Sequence, residues 1–183
     1  MSRTELTIAG VGGQGSILAG VVLGSAVVTH AKKYAVQTQA YSSELRGGFA
    51  AAWVVISDAP VIFPRVTRPD ILVAQAQDAI DRFSQILNSD GVLIVDCDMI
   101  PHPPAGIDKV FKVAATSIAR QRLRAPQSAN MVMLGALCKV SAVVSPESLE
   151  TAIADAVPET KVQVNVDAFH FGFEHVERWH GAA

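Results

Sequence analysis

Short apolar runs alternate along this chain with longer segments whose apolar residues recur at helical spacing, and turn-forming residues separate them. Residues 5–10, with Leu6-Thr7-Ile8-Ala9 at their centre, read as a strand, and the apolar stretch 17–28 that follows reads as a buried helix. Residues 34–39 predict a second strand. The run 49–56, containing Trp53-Val54-Val55-Ile56 and stopped by Ser57-Asp58-Ala59-Pro60, predicts a buried third. Val61-Ile62-Phe63-Pro64 reads as a short edge strand, where proline is tolerated. Further strands are expected at 71–75, 92–95 and 110–113. Helices are expected at 76–88, with Ile80, Phe83 and Leu87 on one face, at 116–123, and at 129–140, which is apolar almost all round. Ser145-Pro146-Glu147 supplies an N-cap and a proline at the first helical position for a helix ending near Val157-Pro158. A last helix carries Val162, Val166, Phe169, Phe173 and Val176 as a stripe. Strand–helix alternation predicts an α/β chain: a three-layer α/β/α single domain over residues 1–183, with a largely parallel sheet and antiparallel pieces between Gly48 and Pro64.

The first strand meets the first helix through Gly10-Val11-Gly12-Gly13-Gln14-Gly15. Glycines admit positive φ and let a ligand approach the backbone, and the first-turn amides of a helix attract anions. Gly10, Gly12 and Gly15 fit the dinucleotide fingerprint, which also requires a carboxylate about 20 residues further on to hold a ribose diol. There is none, because no Asp or Glu occurs between Leu6 and Ser43. His30, Lys32 and Lys33 stand at the expected end of the second strand and suit a phosphorylated ribose, as in NADP or coenzyme A. A tight turn without a ligand is the plainer alternative.

Composition narrows the choice. Half of the 183 residues are hydrophobic and 17% are charged, against about 25% in an ordinary soluble domain. Part of the surface is therefore expected to be covered in a larger assembly. The net charge of −2 and the lack of a basic run interleaved with aromatics disfavour nucleic acid as a partner. The stretch 17–28 is too short for a bilayer, and the first residues do not read as a signal peptide, so no membrane association is expected. Two cysteines, Cys97 and Cys138, with no C-x-x-C pair, fit a cytoplasmic chain and cannot build a four-cysteine cluster.

A second polar constellation, Tyr41-Ser42-Ser43-Glu44-Leu45-Arg46-Gly47-Gly48, follows the second strand. In a parallel sheet it shares an edge with the glycine loop, and Arg46 offers a planar fork for phosphate or carboxylate. A solvated loop is its plain alternative. The five histidines make no H-x-x-x-H pair, and Asp96 and Asp98 suit helix capping better than a cation, so no metal ligands are expected. No G-x-S-x-G elbow occurs. With a phosphate cradle but no nucleophile, acid–base pair or redox centre, the chain reads as a binding or accessory subunit with no catalytic residues of its own.

Several ordered motifs together resemble one family. They are the Gly10–Gly15 loop with Gln14, Gln37-Thr38-Gln39, and Tyr41 with Glu44-Leu45-Arg46-Gly47-Gly48. With them go Ser57-Asp58, Pro60, Pro64-Arg65-Val66, Pro69-Asp70-Ile71-Leu72-Val73-Ala74, Asn130-Met131-Val132-Met133-Leu134-Gly135-Ala136-Leu137, and Asn165 with Ala168-Phe169 and Gly172. Over nearly the whole chain these look like the gamma subunit of 2-oxoacid:ferredoxin oxidoreductases. Val36-Gln37-Thr38-Gln39 is most similar to the 2-oxoglutarate branch, beside pyruvate, ketoisovalerate and indolepyruvate relatives. The resemblance implies a complex that turns a 2-oxoacid and coenzyme A into acyl-CoA, carbon dioxide and reduced ferredoxin. It places thiamine pyrophosphate and 4Fe-4S clusters on alpha and beta subunits, with a ferredoxin-like delta subunit as an optional fourth. It also implies that Gly12, Gly13, Gln14, Gly15 and Ser16 face the coenzyme A phosphates. Arg46 matches the family's arginine and is expected to assist; Ser42-Ser43 stands where the family often has Gly-Pro. Two other readings remain beside it: a free-standing NADP-binding oxidoreductase, and a purely structural subunit.

Overall fold

The computed structural model describes residues 2–42 and 48–180. One seven-stranded sheet runs through it in the order β2-β3-β1-β4-β5-β6-β7. Its strands are β1 (Arg3–Val11), β2 (Tyr34–Tyr41), β3 (Phe49–Ser57), β4 (Ile71–Ala74), β5 (Val92–Asp96), β6 (Lys109–Val113) and β7 (Glu177–Arg178). β1, β4, β5 and β6 are mutually parallel, and β3 is antiparallel to both β1 and β2. β2 therefore points the same way as β1, and the largely parallel sheet with antiparallel pieces after Gly48 is what forms.

Side chains alternate across the sheet with the period of a strand. Leu6, Ile8, Ile71, Val73 and Ile94 face a large core with α1 (Ser16–Ser25), α4 (Ala129–Ser141), α5 (Pro146–Ala156) and α6 (Val162–His175). Ala9, Leu72, Ala74, Leu93 and Val95 face a smaller core with α2 (Gln77–Phe83) and Ile100. Burial on both faces explains why the central strands are unbroken apolar runs. α4 and α6 cross closely: a Cβ on Gly135 would stand 1.9 Å from the Phe169 carbonyl oxygen, and one on Gly172 would stand 1.8 Å from that of Val132.

Three expectations are corrected. Residues 61–64 form no strand and Ile62 is 95% exposed there; the run lies between Pro60 and Pro64, whose missing amides oppose a ladder. The face of α6 turned to the core is Asn165, Ala168, Phe169 and Gly172, while Val166, Phe173 and Val176 only flank it; the close crossing with α4 selects small residues. A seventh strand, β7, pairs antiparallel with β6 through Phe111–Arg178 and Lys112–Glu177, beyond what the pattern indicated. No helix among the described residues is long and apolar enough to cross a membrane.

Candidate functional site

From β1 the chain runs through α1 to β2 and β3 on one side of β1, then crosses to β4 on the other. The carboxyl ends of β1 and β4 therefore flank a switch point, the place where open α/β sheets bind ligands. The glycine loop lies there. Gly13 has φ +98° and Gly15 φ +76°, a region that L side chains rarely adopt, so the sequence needs glycine at both. Gly15 is the N-cap of α1 and supplies no side chain to it. Among the described residues, the amides of Gly13, Gly15, Ser16 and Ile17 have no acceptor. Those first-turn donors lie at the positive end of the helix.

A buried amide network holds this shape. The Gln14 side chain folds back: its Oε1 accepts the Val11 amide at 2.8 Å, and its Nε2 donates to the Gln75 carbonyl at 2.8 Å. Gln75, immediately after β4 and 2% exposed, returns the contact by donating to the Gln14 carbonyl at 3.1 Å. Its Oε1 accepts from the Ser16 hydroxyl at 2.7 Å. From the first residues of α4, Asn130 Nδ2 donates to the Gly15 carbonyl at 3.2 Å. Gln14 and Ser16 thus spend their side chains on the loop and leave their neighbours' amides facing outward.

The loop borders, through Gly13 and Gln14, a cleft of about 400 Å³ that is also lined by Gln75, Asp96, Met99, Thr116, Arg120, Pro126, Gln127 and Ala129. Asp96 forms part of its floor. Its carboxylate accepts from the amides of Asp98 (3.2 Å), Ala115 (3.1 Å) and Thr116 (3.2 Å) and from the Thr116 hydroxyl (2.6 Å). Burial nevertheless pushes its pKa above the usual carboxylate value, since desolvation outweighs those bonds. Asp98 caps the same helical turn, accepting from the Ser117 amide at 2.6 Å and its hydroxyl at 2.9 Å. Both aspartates do the capping work expected of them, at the start of α3 (Ala115–Ser117) and the wide turn Ile118–Arg122 that continues it.

Gly12, Gly13, Gln14, Gly15 and Ser16 form the loop between β1 and the first turn of α1, and Gly12 ties the second constellation to it: its amide donates to the Gly48 carbonyl at 2.6 Å. Arg46 lies outside the described residues. The basic cluster is placed differently from expectation. The first helix continues as a wide turn, Ala26–His30, so His30, Lys32 and Lys33 precede β2 and sit at the opposite, amino edge of the sheet. There Lys33 pairs with Asp58 at 3.3 Å. It cannot reach a nucleotide held by the glycine loop, which removes the basic cluster as support for a phosphorylated ribose, whether of NADP or of coenzyme A. Cys97 is half-buried and Cys138 buried, and burial pushes the Cys138 thiol up to about 11.

Gln75, Asn130, Thr116 and Arg120 are site residues that sequence reasoning missed. Gln75 alone carried a signal, a polar side chain directly after the buried run of β4. The others reach the loop from distant segments.

The family described as pyruvate ferredoxin/flavodoxin oxidoreductase matches residues 5–175. The chain is 44% identical over 174 residues to 2-oxoglutarate synthase subunit KorC of Methanocaldococcus jannaschii, covering 94% of this chain and 93% of that protein. Its structure matches the crystal structure of the keto/oxoacid ferredoxin oxidoreductase gamma subunit from Geobacter sulfurreducens with a TM-score of 0.87 and 39% identity, over 96% and 97% of the two chains. The fold also recurs, at a TM-score of 0.82 and 22% identity, within 31% of a longer chain of 2-oxoglutarate:ferredoxin oxidoreductase from Magnetococcus marinus. That structure was solved with 2-oxoglutarate, coenzyme A and succinyl-CoA bound, and 95% of the present chain is aligned in it.

Proposed function

The chain belongs to the pyruvate ferredoxin/flavodoxin oxidoreductase family as a gamma subunit of the 2-oxoglutarate:ferredoxin oxidoreductase type, and from that premise we propose that its glycine loop forms part of the coenzyme A site of a complex whose chemistry lies on other subunits. The reaction of such a complex joins coenzyme A to the acyl group left when a 2-oxoacid loses carbon dioxide, and passes the electrons to ferredoxin. One observation carries the reading: four backbone amides without acceptors among the described residues, at a sheet switch point, in a loop whose Gly13 and Gln14 line a cleft that a phosphate can enter. Several aligned N–H donors suit a diphosphate, and no carboxylate among the described residues of the loop repels it.

Each residue then has a distinct task. Gly13 and Gly15 present their own amides, Ser16 presents its amide while its hydroxyl anchors Gln75, and Gln14 braces the loop from inside. Gly12 fastens the loop to Gly48, and Arg46 is proposed to reach the diphosphate from the adjoining segment. Thiamine pyrophosphate and the 4Fe-4S clusters are assigned to alpha, beta and ferredoxin-like delta partners, because two separated cysteines here do not supply the four thiolates a cluster requires. The chain itself is non-catalytic, folds as one gamma-type domain, and works in the cytoplasm.

The deciding experiment is steady-state kinetics of the complex co-expressed with its partner subunits. Gly13→Asp places a negative side chain where the diphosphate would lie, and the KM for coenzyme A should rise about tenfold or more, as expected from one lost charge-assisted contact plus repulsion. An unchanged KM removes the loop from the site and leaves a structural subunit as the surviving reading.

A further inference from the structure

Arg120 is a cation in the cleft with no neutralising partner among the described residues. It comes from the wide turn Ile118–Arg122, is exposed, and makes no ion pair or hydrogen bond through its guanidinium there. Asp96 lines the same cleft but does not serve it. That carboxylate is 2% exposed, and both its oxygens accept from Asp98, Ala115 and Thr116. The cleft therefore attracts anions in two ways. The glycine loop offers neutral, fixed N–H donors, and Arg120 offers a full positive charge on a planar fork.

Coenzyme A carries two kinds of phosphate that divide along the same line. Its diphosphate spreads charge over many oxygens and suits a row of amides. Its ribose 3′-phosphate is a monoester, close to a dianion at neutral pH, and suits a bidentate guanidinium. We propose, resting on the coenzyme A reading of the glycine loop, that Arg120 holds the 3′-phosphate and makes the site select a 3′-phosphorylated ADP group over plain ADP. Dephospho-coenzyme A, with a hydroxyl in that place, gives Arg120 only a neutral acceptor and forgoes the ionic contact.

The test is the KM of the assembled complex for coenzyme A and for dephospho-coenzyme A, in the wild type, Arg120→Gln, Arg120→Lys and Gly13→Asp. Arg120→Gln should raise the KM for coenzyme A about tenfold and change that for dephospho-coenzyme A by less than about twofold, so the preference for the 3′-phosphate collapses. Arg120→Lys keeps the charge without the fork and should recover part of the preference. An Arg120→Gln complex that retains the wild-type preference, or loses affinity for both thiols alike, overturns the assignment. Thermal melting of the same complexes should show little change, since the exposed side chain makes no ion pair or hydrogen bond in the described fold. Gly13→Asp separates the two readings: if it raises neither KM, the glycine-loop site fails. If it raises both while Arg120→Gln fails to discriminate, only the role of Arg120 fails.

Discussion

The two ends of the same parallel strands are built on opposite principles. At the amino edge several charged groups are matched within the chain, although the buried Nε2 of His30 has no partner among the described residues. Asp58 accepts the Ser2 amide at 3.1 Å and the Ser2 hydroxyl at 2.5 Å and pairs with Lys33. Arg3 meets Glu5 at 2.8 Å, and Asp70 accepts both the Glu5 amide at 2.8 Å and Asn88 at 2.6 Å. At the carboxyl edge the side chains that brace the loop, Gln14, Gln75 and Asn130, are matched, but donors beside them are left open: the amides of Gly13, Gly15, Ser16 and Ile17, and the guanidinium of Arg120. Surface pairs of the first kind contribute little to stability, typically 0–1 kcal/mol. A row of main-chain donors left unmet in the glycine loop, above a network that braces it, distinguishes the carboxyl edge and is what the coenzyme A proposal builds on.

The sharpest way to break the contrast is to remove the brace. Gln75→Ala strands the Ser16 hydroxyl and the Gln14 carbonyl in a buried setting, while the Gln75 main-chain carbonyl that accepts from the Gln14 side chain is kept. The expected cost is about 3 kcal/mol of stability, measured by urea denaturation, together with a raised KM for coenzyme A in the complex. A variant as stable as the wild type would mean that the network does not hold the loop. Gly13→Asp should separate the two quantities, because nothing stands within 4 Å of a Cβ there. Its stability cost is the strain of a positive φ, about 1–2 kcal/mol, while its effect on coenzyme A is the larger one. A large loss of stability with unchanged affinity would place the loop's importance in folding.

What was legible in advance divides along local and non-local lines. β1, the glycine loop and α1 could be read because an apolar run, clustered glycines and an apolar helix are adjacent in sequence. The layers followed from alternation. The brace could not be read: Gln75 meets Gln14 across 61 residues, and Asn130 meets Gly15 across 115. Residues 61–64 carry strand-forming side chains but lie between two prolines that offer no amide to a ladder. The basic cluster at 30–33 was placed at a strand end by analogy with a dinucleotide fold, whereas it lies between the first helix and β2, which starts at Tyr34 as expected, and so sits at the strand's amino end. The α6 stripe was read from large side chains, when the tight crossing with α4 requires small ones.

The smallest expected effect lies at the amino edge, and pH exposes it. The Ser2 hydroxyl and amide, with Lys33, hold Asp58 down to about 2, below its ordinary value of 3.8. A folded-state pKa below the unfolded one means that the unfolded chain binds more protons between the two values. The stabilisation is therefore complete above about 4 and is lost as the pH falls toward 2. Asp96 at the carboxyl edge has the opposite sign: burial raises its pKa, so its protonation favours the fold and its contribution fades as the pH climbs through that raised value. Asp58→Asn should thus flatten the decline in stability between pH 4 and 2, relative to wild type, while leaving the KM for coenzyme A untouched. If the substitution instead shifted that KM, the two edges would be coupled through the sheet, and the division between a closed edge and a receptive one would no longer hold.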